Sequence, residues 1–211
     1  MRRISPRVLI LHGWQGSQGP HWQRWLAPHL RAAGCVVSLP ELPDAMTPRL
    51  DAWRATLDQE LADLAAGPGE RLVVCHSLGC ILWLHHAAAP SPGAPHVDRV
   101  LLNAPPGPLG ELPTFFPVDV DATAVAAAAG STRLVCSDDD PYCPEGAQSS
   151  YAEPLGLPLR RAARPGTPER GRRLRAVARD ARLVPGPASG SRAAARRLST
   201  RHSGAKKGVE A

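Results

Sequence analysis

The sequence predicts a mostly parallel α/β sheet flanked by helices over residues 1–158, followed by a basic tail over residues 159–211. Short β-like runs alternate with helical patterns in the first part, as parallel strands joined by helices require. Residues 1–158 carry 10 Lys and Arg against 16 Asp and Glu, whereas residues 159–211 carry 15 against 3. All 11 Phe, Trp, Tyr and Met residues lie at or before Tyr151. We therefore expect the fold to end near residue 158 and the tail to be disordered.

The first strand and the first helix come from the N-terminal third of the sequence. Arg7–Leu11 is apolar after its first residue and stops at His12-Gly13, which suits a strand end. Pro20 suits the first turn of the following helix, whereas Pro28 predicts a kink or an early end. The apolar face of this helix consists of Trp22, Trp25, Leu26 and Leu30.

The second strand and the second helix follow. Cys35–Leu39 is the strand, and Thr47 with Pro48 predicts an N-cap followed by proline at the first helical position. The helix ends at Gly67. One apolar stripe runs along it, formed by Leu50, Trp53, Leu57, Leu61 and Leu64.

The remaining strands surround a third helix. Arg71–Cys75 is nearly continuous in apolar residues, which is typical of a central strand covered on both faces. A helix extends from Leu78 toward Ala89 and is ended by Pro90. Val97–Leu102 and Thr132–Cys136 complete five strands, and we expect the last strand of the fold to be missing.

A candidate nucleophile lies in the turn after the central strand, His76-Ser77-Leu78-Gly79. A Ser on a tight strand-to-helix turn stands clear of the sheet, and the free N–H groups of the helix N-terminus can stabilise an oxyanion. The pattern G-x-S-x-G is kept only in part, because Cys75 replaces its first Gly. A purely structural Ser-x-Gly turn is the alternative, and Cys75 and Cys80 read as small packing residues.

The loop after the first strand can supply the second half of an oxyanion hole. Main-chain N–H groups of Trp14 and Leu78 are the expected donors. In the alternative interpretation, His12 and Gly13 only shape a turn and the Trp14 side chain packs. This interpretation is compatible with an oxyanion hole, because the expected donor is the Trp14 main-chain N–H.

A candidate acid follows the last clear strand, in Ser137 through Tyr142. The order nucleophile, acid, base places an acid here, and rigid Pro141 favours Asp140 over Asp139. A solvated loop or a weak cation site are alternatives, although the D-x-D-x-D-G pattern of a calcium loop is absent.

These motifs together resemble those of the small α/β-hydrolases typified by retinoblastoma-binding protein nine. The matching runs are Ile10 to Trp14 with Gly16-Ser17, His21-Trp22, Cys75 to Cys80, and Ser137 to Tyr142. The resemblance covers roughly residues 5–155. It implies a serine hydrolase without a lid domain, with Ser77 as nucleophile, Asp140 as the triad acid and a carboxylesterase-like reaction on a small acyl substrate.

The chain departs from this family after residue 158. The family ends with a further strand and a Gly-His turn that carries the catalytic His, followed by a Gly-Tyr-Gly-Pro-Trp-Pro-like segment. The only His after Asp140 is His202, which lies in the basic tail between Arg201 and Ser203. The sequence therefore predicts an impaired hydrolase.

A frameshift would explain this departure. When permitted codons for Gly166 through Ala178 are read from the second base of each codon, they can encode GHLNADAGYGPWP. These thirteen successive residues contain a Gly-His pair and the Gly-Tyr-Gly-Pro-Trp-Pro segment with which the family ends. An out-of-frame GC-rich message also produces an Arg, Ala, Pro and Gly bias. We therefore expect residues from about Leu159 onward to be a frameshifted product.

Other features bound the interpretation. The apolar run near the N-terminus is too short for a secretory segment or a membrane span. The five Cys residues have neither metal-binding nor disulfide spacing, which indicates reduced thiols. We therefore expect a cytoplasmic protein without cofactor or metal. Two alternatives remain: a noncatalytic interaction protein on a hydrolase scaffold, and non-specific polyanion binding through the tail. We expect no specific nucleic-acid partner and no membrane partner.

Overall fold

The computed structural model describes residues 4–162, which form one sheet with helices on both of its faces. The strands are β1 Arg7–Leu11, β2 Val36–Ser38, β3 Arg71–His76, β4 Val97–Asn103, β5 Ala129–Ser137 and β6 Leu159–Ala162. The helices are α1 Trp22–Ala32, α2 Leu50–Ala65, α3 Leu78–Ala88 and α4 Ala122–Ala128, with a π-helical turn at Gln148–Ala152.

The six strands are parallel and lie in the order β2-β1-β3-β4-β5-β6. The order reverses direction around β1, which is typical of a doubly wound sheet. Because the strands are parallel, all of their carboxyl ends meet at one edge. The loops that follow β1, β3, β4 and β5 therefore lie close to one another, and this edge is where such folds bind ligands.

Side chains on the two sheet faces form two separate apolar clusters. On one face, Val8 and Ile10 of β1 pack with Leu26 and Leu30 of α1. On the other face, residues of α2, α3 and α4 pack on the sheet. The largest fully buried side chains there are Trp53, Trp83 and Phe115. Successive side chains of a strand point to opposite faces of the sheet. Each buried strand therefore contributes apolar residues to both clusters, and helices cover both faces.

Two helix boundaries differ from the sequence-based expectations. α1 continues four residues past Pro28 to Ala32, so an early end at Pro28 is wrong. Proline removes a single helical N–H bond, and burial of Leu26 and Leu30 stabilises the remaining turns. α2 begins at Leu50 with Arg49 as its N-cap, because residues 44–47 form a separate turn before it.

The expectation of a missing last strand is also wrong. Leu159–Ala162 forms β6 and pairs in parallel with β5, with Leu159 beside Leu134 and Ala162 beside Ser137. These four residues, assigned above to the tail, therefore belong to the sheet. The pairing uses main-chain groups, so a strand containing Arg160 and Arg161 forms without the apolar pattern by which strands are recognised.

No helix within residues 4–162 is long and apolar enough to cross a membrane. The expected tail disorder and the placement of His202 concern residues outside the part of the chain that the structure describes.

Candidate active site

Ser77 occupies the sharp turn between β3 and α3. Its backbone has φ 51° and ψ −124°, a left-handed conformation that is rare for a residue with a side chain. Both of its main-chain polar groups are bonded: its N–H donates to the Asn103 carbonyl at 3.0 Å, and its carbonyl accepts from the Cys80 N–H at 2.8 Å. The turn is therefore fixed by hydrogen bonds on both sides of Ser77.

Glycines allow the loop after β1 to approach this turn. A Cβ added to Gly13 would lie 2.7 Å from the Ser77 Cβ and 3.1 Å from its Oγ. A Cβ on Gly79 would lie 2.6 Å from the His12 carbonyl oxygen. The two expected oxyanion donors flank this contact, since Trp14 follows Gly13 and Leu78 follows Ser77. Leu78 is the first residue of α3, so its N–H has no partner within the helix.

His12 shapes the loop after β1. Its ring is fully buried, with Nδ1 2.8 Å from the Gly13 carbonyl oxygen and Nε2 2.9 Å from the Leu42 nitrogen. The Leu42 N–H can only donate, so Nε2 accepts and Nδ1 carries the proton. Trp14 is anchored separately, because its indole N–H donates to the Met46 carbonyl at 3.0 Å.

Asp140 is held within the loop that follows β5. Its Oδ1 accepts from the Tyr142 N–H at 3.0 Å, and its Oδ2 lies 3.8 Å from the Cys136 Sγ. Its main-chain carbonyl accepts from the Cys143 N–H at 3.0 Å. The neighbouring Asp138 is exposed and forms an ion pair with Arg161. The Asp140 carboxylate is thus fixed by its own turn.

Ser77 and Asp140 lie at the same edge of the sheet, with the end of β4 between their strands. The end of β4 and the loop after it contact both sides. The Asn103 carbonyl accepts from the Ser77 N–H, and the Gly107 N–H donates to the Tyr142 carbonyl at 2.6 Å. Within residues 4–162, no histidine forms a hydrogen bond with Ser77 or Asp140. The described part of this edge therefore holds a serine and an acid without a base between them.

An aromatic cluster beside Ser77 was not predicted from the sequence. The His76 ring lies 5.0 Å from the His21 ring and 5.5 Å from the Trp22 ring, measured between centroids. Burial, with a smaller contribution from His21, lowers the pKa of His76 to about 4. Burial also lowers the pKa of His21. Both imidazoles are therefore neutral at pH 7.

Asn103 is the other residue that sequence reasoning missed. Its carbonyl oxygen contacts His76, Ser77 and Cys80. No sequence signal marks it, because it is only the last residue of a strand whose chain position is remote from the serine.

The cysteines near the site are buried and protonated. Burial raises the pKa of the Cys75 and Cys80 thiols, and it raises the pKa of Cys136 to about 12. A thiol is a poor nucleophile and metal ligand in its protonated form. In the described residues, no group of three or more His, Cys, Asp and Glu side chains is placed to hold a metal ion.

Comparison with known proteins gives a family match over most of the chain. A family model described as serine hydrolase matches residues 8–167. YdeN of Bacillus subtilis strain 168, named as a candidate hydrolase, is 34% identical over 77 residues. That alignment covers 36% of this chain and 39% of YdeN, so it spans about two fifths of this curated relative.

Solved structures share the fold. The crystal structure of the ydeN gene product from B. subtilis has a TM-score of 0.65 at 23% identity, covering 77% of this chain and 87% of that chain. A YdeN-like protein from Pectobacterium atrosepticum has a TM-score of 0.63 at 18% identity, covering 86% and 94%. A structure described with the metagenome-derived lipolytic enzymes LipS and LipT has a TM-score of 0.61 at 15% identity, covering 83% and 93%.

Proposed function

Because the chain belongs to the serine hydrolase family, we propose that its site is built to hydrolyse a small ester or related acyl substrate, with Ser77 as the nucleophile. The observation that carries this proposal is the left-handed Ser77 at φ 51° between β3 and α3. Strained conformations persist where the surrounding structure fixes them, and they concentrate at functional sites. A turn of this kind presents the Ser77 Oγ beyond the edge of the sheet.

The remaining roles follow from the positions around Ser77. In the proposed reaction, the Ser77 Oγ attacks the acyl carbonyl and gives up its proton to a base, and the leaving group departs from the tetrahedral intermediate. Main-chain N–H groups of Leu78 and Trp14 stabilise the negative oxygen. Asp140 orients the base, since a carboxylate fixed by its own loop can hold an imidazole in one orientation. Water then releases the acyl group from Ser77.

The substrate class is supported by the solved structures with this fold. They include one described with two lipolytic enzymes and the protein Est1E from Butyrivibrio proteoclasticus, whose TM-score is 0.58 at 16% identity. These likenesses favour an ester over a peptide substrate for this chain. We also propose a cytoplasmic location, which the five free buried cysteines support.

We propose that a frameshift removed the base. The sixth strand supports the proposal of a frameshift before Leu159, because β6 pairs with the buried residues Leu134, Val135 and Cys136 and yet contains two arginines. Read from the second base, permitted codons for Leu159 through Ala162 can encode Phe-Val-Val-Leu. Such a run would be a normal apolar strand, and the shifted frame then continues toward GHLNADAGYGPWP. The authentic protein would accordingly be an intact hydrolase of the retinoblastoma-binding protein nine type.

Labelling of Ser77 tests the proposed nucleophile. We expect a fluorophosphonate probe to modify the full chain at Ser77, slowly because no base assists, as located by peptide mass spectrometry. The Ser77→Ala variant should remain unlabelled at this peptide, and heat-unfolded chain should react no faster than a free serine. Equal labelling of folded and unfolded chain would overturn the proposal and favour a noncatalytic scaffold.

Resequencing the gene across the codons for Leu157 to Arg179 tests the frameshift. A single-base insertion or deletion relative to the present reading would establish it. Confirmation of the present reading in the source DNA, together with p-nitrophenyl acetate turnover well above that of Ser77→Ala, would contradict the proposal of impairment.

A further inference from the structure

The carbonyl oxygen of Asn103 is an acceptor shared by the residues around the serine. The Ser77 N–H donates to it at 3.0 Å, and the Cys80 thiol donates to it at 3.4 Å. The Nδ1 atom of His76 lies 3.3 Å from the same oxygen. The end of β4 therefore contacts the last residue of β3, the turn itself and the first turn of α3 through a single atom.

Cys80 is tied to Ser77 in two ways. Its N–H donates to the Ser77 carbonyl at 2.8 Å, and its S–H reaches the oxygen that also accepts from the Ser77 N–H. These contacts close a small ring of hydrogen bonds that contains both main-chain polar groups of Ser77. Cys80 is fully buried, and burial raises its thiol pKa well above the usual value, so the sulfur keeps the proton that it donates.

The conformation of Ser77 requires such support. A residue with a side chain in a sparsely populated backbone region is strained, and it relaxes unless neighbouring groups fix it. A relaxed Ser77 would move its Oγ away from the oxyanion donors, and misplacement by about 1 Å can slow a reaction by about 100-fold. The hydrogen-bonded ring opposes this relaxation.

We propose that Cys80 is a positioning residue for the nucleophile, acting through the carbonyl of Asn103 to hold Ser77 in its left-handed conformation. This inference rests on the proposed role of Ser77. It assigns Cys80 a hydrogen-bonding role beyond filling space.

Cys75 provides a matched control. It is also fully buried and lies two residues before Ser77, as Cys80 lies three residues after it. Its side chain packs in the same apolar cluster as Cys80. Removal of either sulfur therefore creates a similar cavity beside the turn, but only Cys80 has the bond to Asn103.

The first test measures phosphonylation of Ser77 in the full chain and in the Cys80→Ala, Cys80→Ser and Cys75→Ala variants. In this reaction the Ser77 Oγ bonds to phosphorus, fluoride leaves and the serine proton passes to solvent. We expect the maximal labelling rate to fall about fivefold in Cys80→Ala, to return within about twofold of wild type in Cys80→Ser and to stay near wild type in Cys75→Ala. The probe concentration for half-maximal rate should not change. Equal effects of Cys80→Ala and Cys75→Ala, or no rescue by serine, would overturn the proposal.

The second test measures hydrogen exchange of the Ser77 amide by NMR, which needs no reactivity. The proposal predicts faster exchange in Cys80→Ala than in Cys80→Ser and Cys75→Ala, because the loosened Asn103 carbonyl holds the Ser77 N–H less well. Equal exchange in all variants would overturn it. Absence of labelling in wild type, combined with the expected exchange pattern, would contradict only the proposed nucleophilic role of Ser77.

Discussion

The two sides of the candidate site are held in different ways. The Ser77 side is fixed by contacts from three separate segments, namely Gly13 after β1, Asn103 of β4 and Gly79 of α3. The Asp140 side is fixed mainly by residues close to it in the chain, Tyr142 in its own loop and Cys136 at the end of β5. β6, which borders this loop, adds an ion pair between exposed side chains, Asp138 and Arg161.

The two sides therefore depend on different parts of the chain: the Ser77 side on residues distant in sequence, and the Asp140 side on residues close to it. Long-range contacts among residues 4–162 hold the turn that contains Ser77. In the proposed reaction, by contrast, the base comes from outside residues 4–162, because no histidine in that range is hydrogen-bonded to Ser77 or Asp140. The described fold therefore holds Ser77 in its strained conformation independently of the segment that would supply the base.

Restoring the shifted frame should have the largest effect. A gene altered by one base so that GHLNADAGYGPWP follows β6 should give p-nitrophenyl acetate turnover on the order of 10³-fold above the present chain, because loss of a triad member costs at least that much. The measurement is the initial rate under equal enzyme concentration. The same restored chain with Gln in place of the new His is the control. Equal rates for both would refute the proposal that the present chain lacks its base.

Adding a methyl group at the long-range contact should have the next largest effect. Gly79→Ala places a Cβ 2.6 Å from the His12 carbonyl oxygen, a main-chain atom that cannot swing away. We expect the free energy of unfolding in urea to fall by about 3 kcal/mol. Gly110→Ala is the matched control, since a Cβ there meets nothing within 4 Å. Similar midpoints for the two variants would contradict the account of this contact.

Acid should weaken the Ser77 side through His76. Burial lowers the pKa of His76 from 6.5 to about 4, so the unfolded chain binds a proton at a higher pH than the folded chain. Stability is therefore lost as pH falls below about 6.5, by about 2 kcal/mol between pH 7 and pH 5. Urea midpoints across this range measure the effect. His76→Gln should show a shallower pH dependence, and an unchanged slope would assign the effect to other groups.

Breaking the exposed ion pair should have the smallest effect. Arg161→Ala removes a 2.7 Å contact between side chains that are 61% and 55% exposed. Exposed pairs of this kind contribute little, so we expect a change below about 0.5 kcal/mol in the free energy of unfolding. A loss comparable to that of Gly79→Ala would mean that β6 is held as tightly as the turn that contains Ser77.

Most strands could be predicted because their residues are apolar in short runs. β1 was predicted with its observed bounds, and β3 and β4 each extend by one residue beyond the predicted run. β6 was missed because Arg160 and Arg161 break the apolar pattern, whereas parallel pairing depends on the neighbouring strand. α4 was missed because a seven-residue run of mostly alanine has no amphipathic stripe.

Local motifs could indicate the candidate site, but its supporting contacts could not be found this way. Ser77 and Gly79 lie within one turn, so their spacing carries a signal. Asn103 reaches Ser77 only after two strands pair, and no spacing in the chain records that contact. The roles of Ser77, Asp140, Trp14 and Leu78 remain predictions.

The outer strand of the sheet also bears on how the protein behaves at high concentration. Among residues 4–162, β6 is the outermost strand on its side of the sheet, and its two arginines place guanidinium charge where exposed strands of two molecules could otherwise pair. Positive charge at an open border acts as a gatekeeper against fibrillar stacking. Arg160 and Arg161, which make β6 an unusual strand, would therefore favour solubility at high concentration. If β6 were apolar instead, a following segment would have to cover it.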